Sequence, residues 1–332
     1  MKPISIKHKY TLKALLFIII GLVLFHCISM IFLEKSSFGK YKNYKAQDNI
    51  DILILGSSHS AVGINVVQLQ DTILQTGCQI DAFNYSILGM RIEQMYFFMQ
   101  EVLEEQTPSL IIIETYSFLP IAEGDQEILA RRAFDVFPFS FNKLEAIQYL
   151  IPEDRWSYYV PFIKYHSRWK ELTADDFKML YDQTTWMGDG IGGNGSEVSM
   201  DKVDDYFDTD TSLITGMQPI NATEKECFEK ILSLAEEKDI MILLTTVPFK
   251  AQMGMNSLQL IQINNYLRKE YVEGSDMQLL DMNLSWDKME FGYGDLMNEG
   301  HCNASGAAKA TDLLAEYIIA NYDIAELGGR QK

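Results

Sequence analysis

Two runs of four apolar residues, Ile52-Leu53-Ile54-Leu55 and Leu110-Ile111-Ile112-Ile113, constrain the fold most. Each is too short for a stable helix and lacks polar alternation, so each reads as a strand covered on both faces. Such strands belong to parallel sheets with helices above and below. Between them, residues 61–74 place Val62, Val66, Leu69 and Ile73 at helical spacing. Asp81–Tyr85 reads as a strand end, and 91–105 as a helix with Met95, Phe98, Val102 and Leu103 inward. The order β-α-β-α-β implies right-handed crossovers. It resumes with a helix at 223–237, a strand at 240–247 stopped by Pro248, a helix at 258–271, a strand at 277–280 and a closing helix at 304–322. The expected fold class is α/β: a three-layer α/β/α sandwich with a central parallel sheet over 50–322, followed by a short tail at 323–332.

An insertion at about 116–219 interrupts this order. It is aromatic-rich and holds Trp156, Trp169 and Trp186, three of the four tryptophans. Helices are expected near 142–150 and 173–182. Gly188, Gly190 and Gly193 match a dinucleotide-binding spacing, but no strand precedes them and no apolar helix follows, so that reading is rejected. The aspartates from Asp201 to Asp210 lack the glycine and closing glutamate of a calcium loop and read as a solvated face.

Ala14–Leu33 carries no formally charged residue over about 20 positions, enough for a helix to span a bilayer. The run is too long for the apolar part of a signal peptide, and no small-residue cleavage site precedes Glu34. It reads as an uncleaved anchor between a tail at 1–13 and a polar linker at 34–49. Lysines flank both ends almost evenly, so the positive-inside count is close to a tie. The short tail is assigned to the cytoplasm and the main domain to the outside. The net charge of −18 argues against a nucleic-acid partner. Cys27 lies in the anchor, leaving Cys78, Cys227 and Cys302, which exclude a dense disulfide framework but not one bridge, and which read as buried free thiols.

The first strand opens directly onto Gly56-Ser57-Ser58-His59-Ser60. In parallel sheets, ligands sit beyond the carboxyl ends of the strands, beside helix N-termini. A serine there presents its hydroxyl at the sheet edge, and its own N–H lies where an oxyanion would develop. The same serines equally suit a helix cap. Serine needs a base to act as a nucleophile. Of the five histidines, His301 is the informative one: it precedes a helix capped near Asn303 or Ser305, with Gly306 and Ala307 permitting close packing of the first turn.

A strand running into G-x-S, a second glycine after the next strand, and a C-terminal His-x-Asn-x-x-Gly-Ala segment together resemble the SGNH (GDSL-like) hydrolases. The nearest variant is the membrane-anchored, DltD-like group with G-S-S openings, which includes O-acyltransferases and esterases acting on cell-surface polymers. The resemblance covers most of 50–115 and 223–320 and not the insertion. It implies a flavodoxin-like sheet, Ser58 as nucleophile, His301 as base, and an oxyanion site built from the N–H groups of Ser58 and Gly89. Two departures stand out. The family's acid position is occupied by Asn298, so Asp295, six residues before His301, is assigned as the orienting acid, with Asn298 or a Ser–His dyad as the alternatives. Glu114-Thr115-Tyr116 replaces the segment that usually donates an asparagine to the oxyanion.

His59 is assigned to substrate contact or packing. His166, Arg168 and Trp169 form either a substrate-binding group or an anchor tying the insertion to the core. No metal-ligand spacing and no cofactor motif occurs in the sequence. The resemblance implies a membrane-tethered serine esterase or O-acyltransferase acting on a cell-surface polysaccharide or teichoic-acid-like polymer, with a membrane-bound O-acyltransferase as possible partner. The alternative is a catalytically inactive domain of the same shape that binds glycan or supports such an enzyme.

Overall fold

The computed structural model describes residues 6–33, 38–120, 126–151, 153–177, 215–250, 255–298 and 300–328. The chain begins with α1 (Ile6–Phe32) and α2 (Phe38–Lys45). The first half of the main domain is β1 (Ile52–Leu55), α3 (Ser58–Gly63), α4 (Val66–Leu74), β2 (Ala82–Asn84), α5 (Ile92–Glu105) and β3 (Leu110–Glu114). The insertion contributes α6 (Gln126–Phe134), α7 (Phe141–Leu150), α8 (Arg155–Tyr158), α9 (Pro161–Tyr165) and α10 (Ala174–Phe177). The second half is α11 (Ala222–Glu237), β4 (Met241–Thr246), α12 (Met255–Leu267), β5 (Gln278–Asp281), α13 (Trp286–Met289), α14 (Ala304–Asn321) and α15 (Ile324–Leu327).

The five strands are all parallel, in the order β2-β1-β3-β4-β5. This is the flavodoxin-like doubly wound order, whose switch point lies between β1 and β3. Alternate strand residues feed two separate cores. Leu53, Leu55, Ile111, Ile113 and Leu244 join α5, α11 and the insertion on one face. Ile52, Ile54, Leu110, Ile112 and Leu243 join α4 and α14 on the other. The fold is therefore the expected three-layer α/β/α sandwich, and it explains why the strand sequences show no polar alternation.

Several local outcomes differ from the sequence reading. The helix expected over 61–74 is two helices, broken at Ile64-Asn65, where Asn65 caps α4 by accepting from the Gln68 N–H. Part of the polar segment at 34–49 is helical: Tyr44 on α2 is fully buried and donates its hydroxyl to Val102 O at 2.6 Å. A buried phenol with a satisfied hydroxyl fixes α2 onto α5, so this stretch is bound to the domain. The helix expected at 173–182 is described only as α10, its remainder lying outside the described residues. Gly188, Gly190, Gly193, Trp186 and the 201–210 aspartates also lie outside them. The cysteines form no disulfide, and Cys227 and Cys302 are buried. α1 is long and apolar enough to cross a membrane, and its window from Tyr10 to Phe32 is almost wholly unburied within the protein.

Candidate active site

Gly56 ends β1 on the carboxyl side of the sheet, at the switch point. A Cβ there would stand 2.5 Å from Glu114 Cβ on β3 and 2.3 Å from Ser60 Oγ, so only glycine lets the turn lie this close to the neighbouring strand. Ser57 then caps α3, its Oγ accepting from the His59 N–H at 3.3 Å. Ser58 is the first residue of α3, and first-turn amides lack a partner within their own helix. Of the two roles open to the serines, Ser57 takes the cap and Ser58 is left with its hydroxyl available.

That hydroxyl meets His301. Ser58 Oγ lies 2.8 Å from His301 Nε2, across 243 residues of sequence. The histidine is held by a small hairpin-like loop: Leu296 and Cys302 form an antiparallel bridge, and the Met297 N–H donates to His301 O at 2.9 Å. Asn303 closes the loop. Its Oδ1 caps α14 by accepting from the Ser305 and Gly306 N–H groups, while its Nδ2 donates to Gly294 O.

Behind His301 stands Asn298, with Oδ1 at 2.8 Å from His301 Nδ1. The same Oδ1 accepts from the Gly300 N–H at 3.0 Å. A backbone N–H can only donate, so the atom facing His301 is the amide oxygen. Nδ1 must then carry the ring proton, leaving the Nε2 lone pair toward Ser58. Asn298 thus sets the tautomer that a general base requires, without supplying a negative charge. Burial lowers the His301 pKa to about 4, so the ring is neutral near pH 7.

Asp295, the carboxylate expected to orient His301, is engaged elsewhere. Its Oδ1 accepts from Ser305 Oγ at 2.6 Å and its Oδ2 from Lys309 Nζ at 2.8 Å and the Gly292 N–H at 2.8 Å. Although burial pushes its pKa up, these donors outweigh it and hold the carboxyl below its usual value. Asp295 fastens the loop to the first turn of α14, where a Cβ on Gly306 would fall 2.1 Å from Asp295 O. The six-residue spacing placed it near enough to consider, but Lys309 one turn into the helix competes for it.

His59 points back over the site and packs against it. Its ring lies 4.4 Å from the His301 ring at 22° and 3.7 Å from the Tyr116 ring at 31°. Two near-parallel partners this close must occupy opposite faces of His59. The Arg91 guanidinium continues the stack 5.1 Å from the Tyr116 ring and donates to Tyr116 O at 3.0 Å. Burial above all, and then the nearness of His301 and Arg91, keeps the His59 pKa well below the usual value. The stack therefore presents a neutral face to His301.

Beneath the serines lies Glu114, fully buried at the end of β3. It accepts from Ser57 Oγ at 2.8 Å and from the Tyr116 N–H at 2.7 Å. Burial raises its pKa to about 7 despite these donors. Glu114, Tyr116 and Arg91 were not assigned to the site from sequence. The only signal was the absence of the expected asparagine segment at Glu114-Thr115-Tyr116.

Gly89 sits in the turn after β2 at φ +76°, a left-handed conformation that favours glycine, and a Cβ would meet Leu129 of α6 at 2.3 Å. The Ile87 N–H donates to Gly56 O at 2.9 Å, tying this turn to the Gly56-Ser58 turn. His166, Arg168 and Trp169 are placed elsewhere. Arg168 Nη1 donates to Phe32 O at 2.6 Å and Leu33 O at 2.8 Å, at the end of α1. His166 is exposed, its Nδ1 against Ile163 O, and Trp169 is 63% exposed. Among the described residues, no hydrogen bond or ring contact joins these three to Ser58 or His301. Nor does any group of three or more His, Cys, Asp and Glu side chains there have the arrangement of a metal site.

No protein-family model matches the chain, and no curated protein matches it in sequence. Among solved structures it is similar to a family 3 carbohydrate esterase of Clostridium thermocellum, with 9% identity and a TM-score of 0.42 over 85% of this chain and 100% of that one. It is also similar to a GDSL-like lipase of Bacteroides thetaiotaomicron, with 12% identity and a TM-score of 0.37 over 84% of this chain and 95% of that one. At this distance the likeness is one of overall layout, and the chemistry of the site stands on its own atoms.

Proposed function

We propose that the chain is a membrane-tethered serine esterase or O-acyltransferase of the SGNH type, acting on acyl esters of a cell-surface polysaccharide or teichoic-acid-like polymer. The observation that carries the chemistry is the chain of contacts Ser58 Oγ–His301 Nε2 and His301 Nδ1–Asn298 Oδ1. Nε2 takes the Ser58 proton as Oγ attacks the ester carbonyl. The oxyanion is received by the Ser58 N–H at the start of α3 and by the Gly89 N–H. Collapse breaks the bond to the leaving alcohol, which takes the proton back from His301, and leaves an acyl group on Ser58. Water or an acceptor hydroxyl, deprotonated by the same Nε2, then removes the acyl group and restores the serine. No metal or cofactor enters this scheme.

The anchor supports action at the envelope: α1 holds the domain at the membrane, with the N-terminus inside and the domain outside. A membrane-bound O-acyltransferase is the partner this arrangement suits. The second reading is a catalytically inactive glycan-binding or scaffold partner of such an enzyme. It is favoured by the neutral Asn298 and the weak basicity of His301. A base of pKa about 4 is a poorer proton acceptor than one near 7.

Turnover of an activated aryl acetate separates the two. The catalytic reading expects hydrolysis that drops by roughly 10²–10⁴-fold in His301→Ala and at least as far in Ser58→Ala. Equal rates in the wild type and both variants would leave only the scaffold.

A further inference from the structure

The insertion carries a second feature, remote from Ser58. Residues 155–170, RWSYYVPFIKYHSRWK, contain Arg155, Lys164, Arg168 and Lys170 and not one acidic residue, in a chain whose net charge is −18. This run forms α8, α9 and the turn that follows; α9 and that turn pack against α1, and α8 packs on α9. The Phe162 ring on α9 packs edge-on against Phe32, with centroids 5.4 Å apart, and against Phe25 at 5.6 Å. Phe25 and Phe32 are seven residues, about two turns, apart on α1, and the Phe162 ring sits between them. Arg168 completes the junction by donating to Phe32 O and Leu33 O, carbonyls at the end of the helix that have no successor turn to accept from.

If α1 spans a membrane, its final turns stand at the boundary between acyl chains and headgroups, and the arm is held at the same depth. Its composition suits that depth. Trp156 is 60% exposed and Trp169 is 63% exposed. Large amphipathic rings and cationic side chains together favour the interface of an anionic membrane. In a protein-only setting, two exposed tryptophans beside an apolar helix would be an aggregation liability.

We propose that α8, α9 and the turn through Lys170 form a membrane-interface arm, with Trp156 and Trp169 seated among the lipid headgroups and upper acyl chains. The arm fixes the domain's tilt on its anchor, so the active site holds one orientation relative to the lipid surface. This rests on α1 being a membrane span and is independent of the acyl chemistry.

The test uses the full chain reconstituted without detergent in vesicles of equal parts phosphatidylcholine and phosphatidylglycerol, with or without lipid brominated high on the acyl chain. Wild-type tryptophan fluorescence should be quenched by the brominated lipid, and the double variant Trp156→Phe/Trp169→Phe should lose more than half of that quenching while keeping its melting temperature. Unchanged quenching in the double variant overturns the arm. So does protection of Trp156 and Trp169 from aqueous acrylamide without quenching by brominated lipid, which would mean a protein or glycan covers them. Failure of the wild type to float with the vesicles overturns the anchor itself, and the proposal with it.

Discussion

At the residue scale, the site depends on which group turns the His301 ring. A carboxylate is the natural expectation, and the sequence reading favours Asp295 with Asn298 as the alternative. Side-chain competition decided it: Lys309, Ser305 and Gly292 take Asp295, while the Gly300 N–H turns the Asn298 oxygen toward Nδ1. Asp295→Asn should therefore leave kcat/KM within a few-fold, whereas Asn298→Ala should lower it by at least tenfold. Asn298→Asp adds a negative charge beside the imidazole, which raises its pKa. The acid limb of kcat/KM, expected near pH 4 in the wild type, should move upward. An unmoved limb in that variant would contradict the assignment. The ring stack has its own signature. Stacked aromatic pairs contribute about 0.5–1.5 kcal/mol, so His59→Ala should cost up to about tenfold in kcat/KM, and His59→Phe should recover most of it. Neither the stack nor Glu114 was legible in the sequence, because Tyr116 meets His59 only once β3 lies beside β1 in the sheet, and Arg91 joins through Tyr116.

At the scale of elements, apolar periodicity located the five strands of the described sheet, and α5, α11 and α14, to within a few residues. The reason is visible at β1 and β3: every side chain on them is buried, so burial alone wrote the pattern. Where polar contacts decide the structure, the pattern gave less. α2 carries three lysines and two tyrosines and reads as linker, yet the buried Tyr44 hydroxyl docks it. The break between α3 and α4 is similarly set by the Asn65 cap. The start of α14 is the element on which the site leans hardest, since Asn303 both caps the helix and ties the His301 loop through Gly294 O. Replacing a capping side chain typically costs about 0.5–2 kcal/mol. Asn303→Ala should fall at the upper end of that range in urea unfolding and should also reduce turnover. Asn303→Ser, which keeps the cap and loses the tie, should recover most of the stability and less of the turnover.

At the scale of the whole molecule, two buried groups bonded to successive serines give opposing pH dependences. The His301 pKa is lowered by folding, so the unfolded chain binds the proton more tightly, and stability is lost as pH falls from about 6.5 through about 4. The Glu114 pKa is raised, so the folded chain binds the proton more tightly, and stability is lost as pH rises from about 4.5 through about 7. Each shift is equivalent to about 3 kcal/mol, and between pH 4.5 and 6.5 the two largely cancel. Glu114→Gln removes one of them. Its stability relative to the wild type should therefore decline by about 3 kcal/mol as the pH is lowered from above 7 to 4.5, and a pH-independent difference would contradict the burial argument. The central claim is that a hydroxyl from the first turn after β1 and an imidazole from the loop before α14 act as one reactive unit. Incubation with a fluorophosphonate, followed by intact-mass and peptide mapping, tests it most directly. The account predicts a single adduct on Ser58 that is absent in Ser58→Ala and strongly slowed in His301→Ala. No adduct on the wild type, or one that persists in Ser58→Ala, would contradict it.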